Sequence, residues 1–127
     1  MKAANEPFLK EGVTVQFQSE DIDGILMVST PSTDLDASNA EEFKKGIVPV
    51  VNGYSRVIMD LSGIGFMDSA GLGAILSVYK KVREEGGQFR VFGLSKEVKA
   101  LFDLVRMQRL FELCEDREGA IRASQTS

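Results

Sequence analysis

Ser69 follows Asp68 directly, in the strip Phe66-Met67-Asp68-Ser69-Ala70-Gly71-Leu72-Gly73. A serine hydroxyl either attacks a substrate or accepts a transferred group. Attack needs a base to take its proton. The chain has no histidine, so neither a Ser–His–Asp nor a Cys–His arrangement can be built. A nucleophile elbow reads Gly-x-Ser-x-Gly, and Met67 occupies the place of its first glycine. Lys80 and Lys81, the nearest bases for a Ser–Lys pair, lie about three helical turns further on. Ser69 therefore reads as an acceptor. At a helix start, unpaired backbone N–H groups and the positive end of the helix dipole favour added negative charge.

Nucleotide binding by this strip has little support. Gly63-Ile64-Gly65 is followed by Asp68 where a dinucleotide fingerprint wants its third glycine, and no Gly-Lys-Ser/Thr is present. A plainer role for Ser69 or Asp68 is to cap the helix, since both types are preferred caps. Capping leaves Gly71 and Gly73 unexplained, because glycine in the first turns costs roughly 1 kcal/mol each relative to alanine. That cost makes sense if another backbone must come close to the helix start. A cap and a modification site are compatible.

These residues need a strand and a helix to hold them. The strand is Val57-Ile58-Met59-Asp60-Leu61; the helix carries Leu72, Ile75, Leu76, Tyr79 and Val82 on one face and stops at Gly86-Gly87. Upstream, Val13 to Gln18 alternates with period two, as an edge strand with one wet face would. Asp21-Ile22-Asp23-Gly24 turns the chain into Ile25-Leu26-Met27-Val28, apolar throughout, giving an antiparallel hairpin. Ser38 or Asp36 is placed to cap a helix with Ala40, Phe43, Ile47 and Val50 inward, disturbed at Pro49 and ended by Asn52-Gly53. Gln88 to Phe92 is a further strand. Ser95 caps a short helix with Val98, Leu101, Phe102 and Val105 inward. A short strand near Phe111 to Leu113 and a helix from about Glu115 to Arg122 complete the order. Strands alternating with helices imply parallel βαβ crossovers. The expected fold class is α/β, a mixed sheet of four to five strands with one antiparallel edge strand and about four helices.

With 127 residues, 43% hydrophobic and 27% charged, the chain is expected to form one domain over residues 11–123, with a flexible N-terminus at 1–10 and a flexible tail at 124–127. A net charge of −4 with scattered basic residues argues against nucleic acid as partner. A single cysteine, Cys114, forms no internal disulfide and reads as a small core residue, which fits a reducing compartment. The start of the chain has no signal-peptide pattern, and no window approaches the roughly 20 apolar residues of a membrane span. A cytoplasmic protein without direct membrane insertion is expected. No second polar group or metal cluster accompanies Ser69, so no catalytic residue, cofactor or metal is assigned and an enzyme is not expected.

The strip resembles the signature of the STAS family, in particular its small stand-alone members, the bacterial anti-sigma factor antagonists. The family pattern is an apolar strand ending Asp-Leu, a loop ending Phe-Met-Asp-Ser, and Ser/Ala/Thr-Gly-Leu-Gly opening a helix. Here it stands as Val57 to Leu61 and Phe66 to Gly73, and the likeness continues through Leu76 to Lys80, Glu85-Gly86-Gly87 and Val98 to Phe102. The resemblance implies a STAS-like sheet and a phospho-acceptor at Ser69. It also implies an anti-sigma factor that is a serine kinase as partner, and a serine phosphatase that resets the modified form. The unmodified protein would bind the kinase and free the sigma factor; phosphorylation would abolish binding. Partner-binding residues carried over are Asp36, Met67, Asp68, Ser69, Ala70, Gly71, Leu72 and Gly73. Asp36 comes from an acidic loop, usually Gly-Glu-Leu-Asp, that stands here as Thr33-Asp34-Leu35-Asp36. A monomer or weak dimer is expected. The alternative is a subunit of a transporter or a small-ligand or assembly module, in which Ser69 only caps. A chemotaxis or biofilm regulator using the same switch is a third reading.

Overall fold

Ile25-Leu26-Met27-Val28 is apolar at every position because both faces of its strand are covered. Leu26 and Val28 enter the larger core cluster, while Ile25 and Met27 join Ile58, Phe92 and Ala120 in a smaller one on the opposite face. The computed structural model describes residues 2–10 and 13–125, with side chains from Phe17 to Gln125.

The first strands are β1 (Lys2–Lys10), β2 (Val13–Ile22), β3 (Ile25–Ser29) and the two-residue β4 (Asp34–Leu35). Helix α1 (Ala40–Val51), β5 (Arg56–Asp60), a short β6 (Phe66–Met67) and the 16-residue α2 (Ser69–Glu84) follow. Then come β7 (Gln88–Phe92), α3 (Lys96–Leu104), a 3₁₀ turn at Met107–Arg109, β8 (Glu112–Cys114) and α4 (Arg117–Gln125). The main sheet runs β1-β2-β3-β5-β7-β8; β4 and β6 form a separate two-stranded sheet. β3, β5, β7 and β8 are parallel, and β2 is antiparallel to β3. The expected mixed α/β sheet with four helices is therefore observed, its five strands being β2, β3, β5, β7 and β8, with β1 a sixth. Side chains of α1, α2 and α3 fill the larger cluster, and α4 covers the other face through Ala120.

Several local expectations change. The hairpin turn narrows to Asp23 and Gly24, both at positive φ (51° and 89°), with Ile22 opposite Ile25. Within the segment expected to be flexible at 1–10, Met1 lies outside the described residues and Lys2–Lys10 form β1, antiparallel to β2 from Lys2↔Asp21 to Lys10↔Val13. Its sequence lacks period-two alternation, so no pattern announces it; the pairing satisfies the backbone donors and acceptors along β2 that an edge would leave open. Pro7 is tolerated because β1 is now the edge strand. The boundary expected at 124 also shifts, since α4 runs to Gln125 and Ser124 is fully buried; Thr126 and Ser127 lie outside the described residues. Ser124 Oγ donates to the Ala120 carbonyl (2.9 Å) and accepts from Arg90 Nη1 (3.3 Å). Val105, expected inward, is 48% exposed because α3 stops at Leu104 and its periodicity stops there too.

Candidate functional site

β3 and β5 run parallel, so the loops that follow them leave the same end of the sheet, where open α/β sheets place their sites. The β4–β6 ladder ties those loops together, pairing Asp34 with Phe66 and Leu35 with Met67. Side chains alternate across a strand, so Leu35 and Met67 turn into the core while Asp34 and Phe66 project outward.

Asp68, not Ser69, caps α2. Its Oδ1 accepts from the backbone N–H of Ala70 (2.9 Å) and Gly71 (3.0 Å), and its Oδ2 accepts from Ala37 N (3.1 Å). One carboxylate thus satisfies the helix start and fastens the preceding loop to it. The Gly71 N–H, followed by those of Ala37 and Ala70, holds the Asp68 carboxyl below its ordinary pKa, because each bond favours the charged form.

Ser69 is released from capping. It is the first residue of α2, it is exposed, and its hydroxyl makes no hydrogen bond among the described residues. Gly73, four residues on and so on the same helix face, has open space where a Cβ would be. The two glycines therefore differ in purpose. A Cβ on Gly71 would collide with the Leu35 carbonyl and lie 2.8 Å from Met67 Cγ. The close backbone expected from the sequence is, at Gly71, the chain's own β4.

The remaining sequence-derived residues divide by burial. Met67 and Leu72 are core residues, and Gly71 is also buried; Ala70 and Asp36 are half-buried. Asp36 and Ser38, expected as caps of α1, instead build the turn before it. Asp36 Oδ1 accepts from Ser38 N (2.9 Å) and Ser38 Oγ (2.6 Å), while Asn39 Oδ1 accepts from Asp36 N (2.9 Å). The N-cap itself is Asn39, which makes no side-chain cap bond. The turn competes for these side chains and wins. Phe66, outside the partner-binding set that the resemblance implies, is 53% exposed between buried Ile64 and Met67. Its signal was an apolar residue one place out of phase with Met67.

Segments 30–39 and 60–73 hold Asp34, Asp36, Asp60 and Asp68 and no Lys or Arg. A phosphate on Ser69 would meet the helix dipole but no neighbouring cation from these loops. Cys114 is half-buried beside the smaller core cluster, and burial pushes its thiol pKa up, away from the reactive thiolate. Among the described residues, no helix is long and apolar enough to cross a membrane.

The STAS domain family matches residues 16–120, from within β2 into α4. The chain belongs to the STAS domain family. This STAS domain is 25% identical over 89 residues to the anti-sigma-B factor antagonist of Bacillus subtilis, covering 70% of this chain and 82% of that one. Among solved structures, an anti-sigma factor antagonist from Mycobacterium paratuberculosis superposes with a TM-score of 0.78 at 26% identity, covering 87% of this STAS domain and 94% of that chain. The fold also occurs in the murine anion transporter Slc26a9, with a TM-score of 0.73 at 18% identity, over 84% of this chain but 18% of that one.

Proposed function

We propose that this protein is an anti-sigma factor antagonist that works by partner switching. Its unmodified form binds an anti-sigma factor that is also a serine kinase, and so releases the sigma factor. Phosphorylation of Ser69 ends that binding, and a serine phosphatase restores it. The observation that carries the reading is the exposed Ser69 hydroxyl beside Asp68, which has already taken the capping role. Support also comes from relatives that bear the name anti-sigma factor antagonist along most of their length.

The proposed release is electrostatic and steric. A phosphate adds about −1.5 to −2 charge, taking the formal −4 to roughly −6. The helix N-terminus tolerates that charge, so the fold survives. A partner packed over Ser69 and the open surface at Gly73, contacting Asp68, Ala70 and Asp36 at its margin, has no room for three phosphate oxygens. Met67, Gly71 and Leu72 shape this surface from beneath. Each 1.4 kcal/mol lost is tenfold in affinity, so a few kcal/mol of desolvation and repulsion suffice.

The test has two parts. Phosphosite mass spectrometry on protein from cells should find phosphate on Ser69. Immobilised Ser69→Ala should retain an ATP-binding kinase that Ser69→Glu does not; equal retention by both variants would sink the proposal. The second reading, a transporter-associated subunit, draws on the shared fold with Slc26a9. Co-purification with membrane transport components and an unmodified Ser69 would favour it.

A further inference from the structure

Phe66 is exposed by the geometry of its own ladder. Parallel pairing with β4 sets Leu35 and Met67 inward, and the strand alternation then forces Phe66 and its register partner Asp34 outward. The backbone has no slack to turn the ring in, since Gly65 N and Phe66 N both donate to the Thr33 carbonyl (2.7 and 3.4 Å) and Asp68 N to the Leu35 carbonyl (3.4 Å). An aromatic ring with two torsions, fixed on a tethered strand, loses little conformational freedom when a partner covers it. The two loops around it carry one sign: Asp34 beside it, Asp68 two residues on and Asp36 in the adjoining turn, with no cation in either loop. Helix α3, which packs against β6, brings Lys96 and Lys99, the latter paired with Asp103. The Asp34 carboxylate forms no ion pair among the described residues.

We infer that Phe66 is the apolar anchor of the docking surface, entering an apolar socket on the partner whose rim carries Lys or Arg opposite Asp34. This rests on the partner-switching reading, for it places the anchor three residues before the phospho-acceptor. An anchor at the centre and charges at the margin is the arrangement in which a few residues dominate affinity while the charges govern encounter rate. Phosphate on Ser69 then acts at the edge of a seated ring, and need only prevent that ring from docking.

The experiment titrates the purified kinase retained by Ser69→Ala against five proteins: wild type, Phe66→Ala, Asp34→Lys, Ser69→Glu and Leu104→Ala. Leu104, 78% exposed at the C-terminal end of α3, controls for loss of any exposed apolar side chain. Phe66→Ala should bind about 30-fold more weakly or worse, with an unchanged urea midpoint. Asp34→Lys should bind more weakly at low salt, by a margin that closes as salt rises. Wild-type affinity in Phe66→Ala, with Ser69→Glu still weak, would overturn the anchor and leave the switch standing. Loss in Phe66→Ala with full binding by Ser69→Glu would keep the anchor and remove the switch. Failure to find any kinase that binds the wild-type protein overturns both.

Discussion

The Leu35 carbonyl occupies the space where a side chain on Gly71 would begin. This contact joins β4 to the first turn of α2 and makes Gly71 a structural requirement, unlike Gly73 two residues later. The acidic loop thereby lies directly against the first turn of the helix that begins with Ser69, and the Ala37 N–H bond to Asp68 Oδ2 joins them again.

The two glycines should respond oppositely to the same substitution. Gly71→Ala drives a methyl group into backbone that cannot yield, and should cost about 1–3 kcal/mol or more. Gly73→Ala meets nothing within 4 Å and should be neutral or stabilising by up to about 1 kcal/mol. Urea unfolding of both variants decides the matter; similar midpoints would contradict the geometry.

Acid should loosen the helix start through Asp68. Its folded pKa is lowered, chiefly by the Gly71 N–H, so its contribution is complete above the unfolded carboxylate value. That contribution is lost as pH falls through the lower folded value. Asp68→Asn keeps capping ability but not the titration, so its stability should fall less steeply with acid than wild type. Thermal unfolding from pH 7 to pH 3 measures the difference, and parallel curves would count against it.

Ser69 should be dispensable for folding. Its exposed hydroxyl makes no hydrogen bond among the described residues, so Ser69→Ala and Ser69→Glu should each unfold within about 0.5 kcal/mol of wild type. Any gap in partner binding between them then reports the docking surface. A Ser69→Ala protein that unfolds much earlier would return the residue to a structural role.

Ser124 should matter although it stands near the end of the chain. Ser124→Ala removes the hydroxyl that accepts from Arg90 and donates to Ala120, and should cost about 1 kcal/mol. Calorimetry that finds no change would contradict a stabilising role for these two hydrogen bonds.

The elements of the larger core could be read directly from the chain. Leu72, Ile75 and Val82 recur at helical spacing and are buried, and Ile25 to Val28 has no polar position because it has no wet face. Periodicity fails where an element ends, as at Val105, and it is absent from the sequence of β1, which pairs with β2 all the same.

By itself the sequence determined the layered α/β order, the helix that begins at the Asp68-Ser69 step, and the absence of any histidine to activate the serine. Only the tertiary structure decided which of two adjacent polar residues caps, which of two glycines is filled, and that Phe66 faces outward. Those choices depend on the register of β4 against β6, a contact between segments about thirty residues apart. Local spacing specifies an element and its faces; it carries no information on which distant backbone will lie against them.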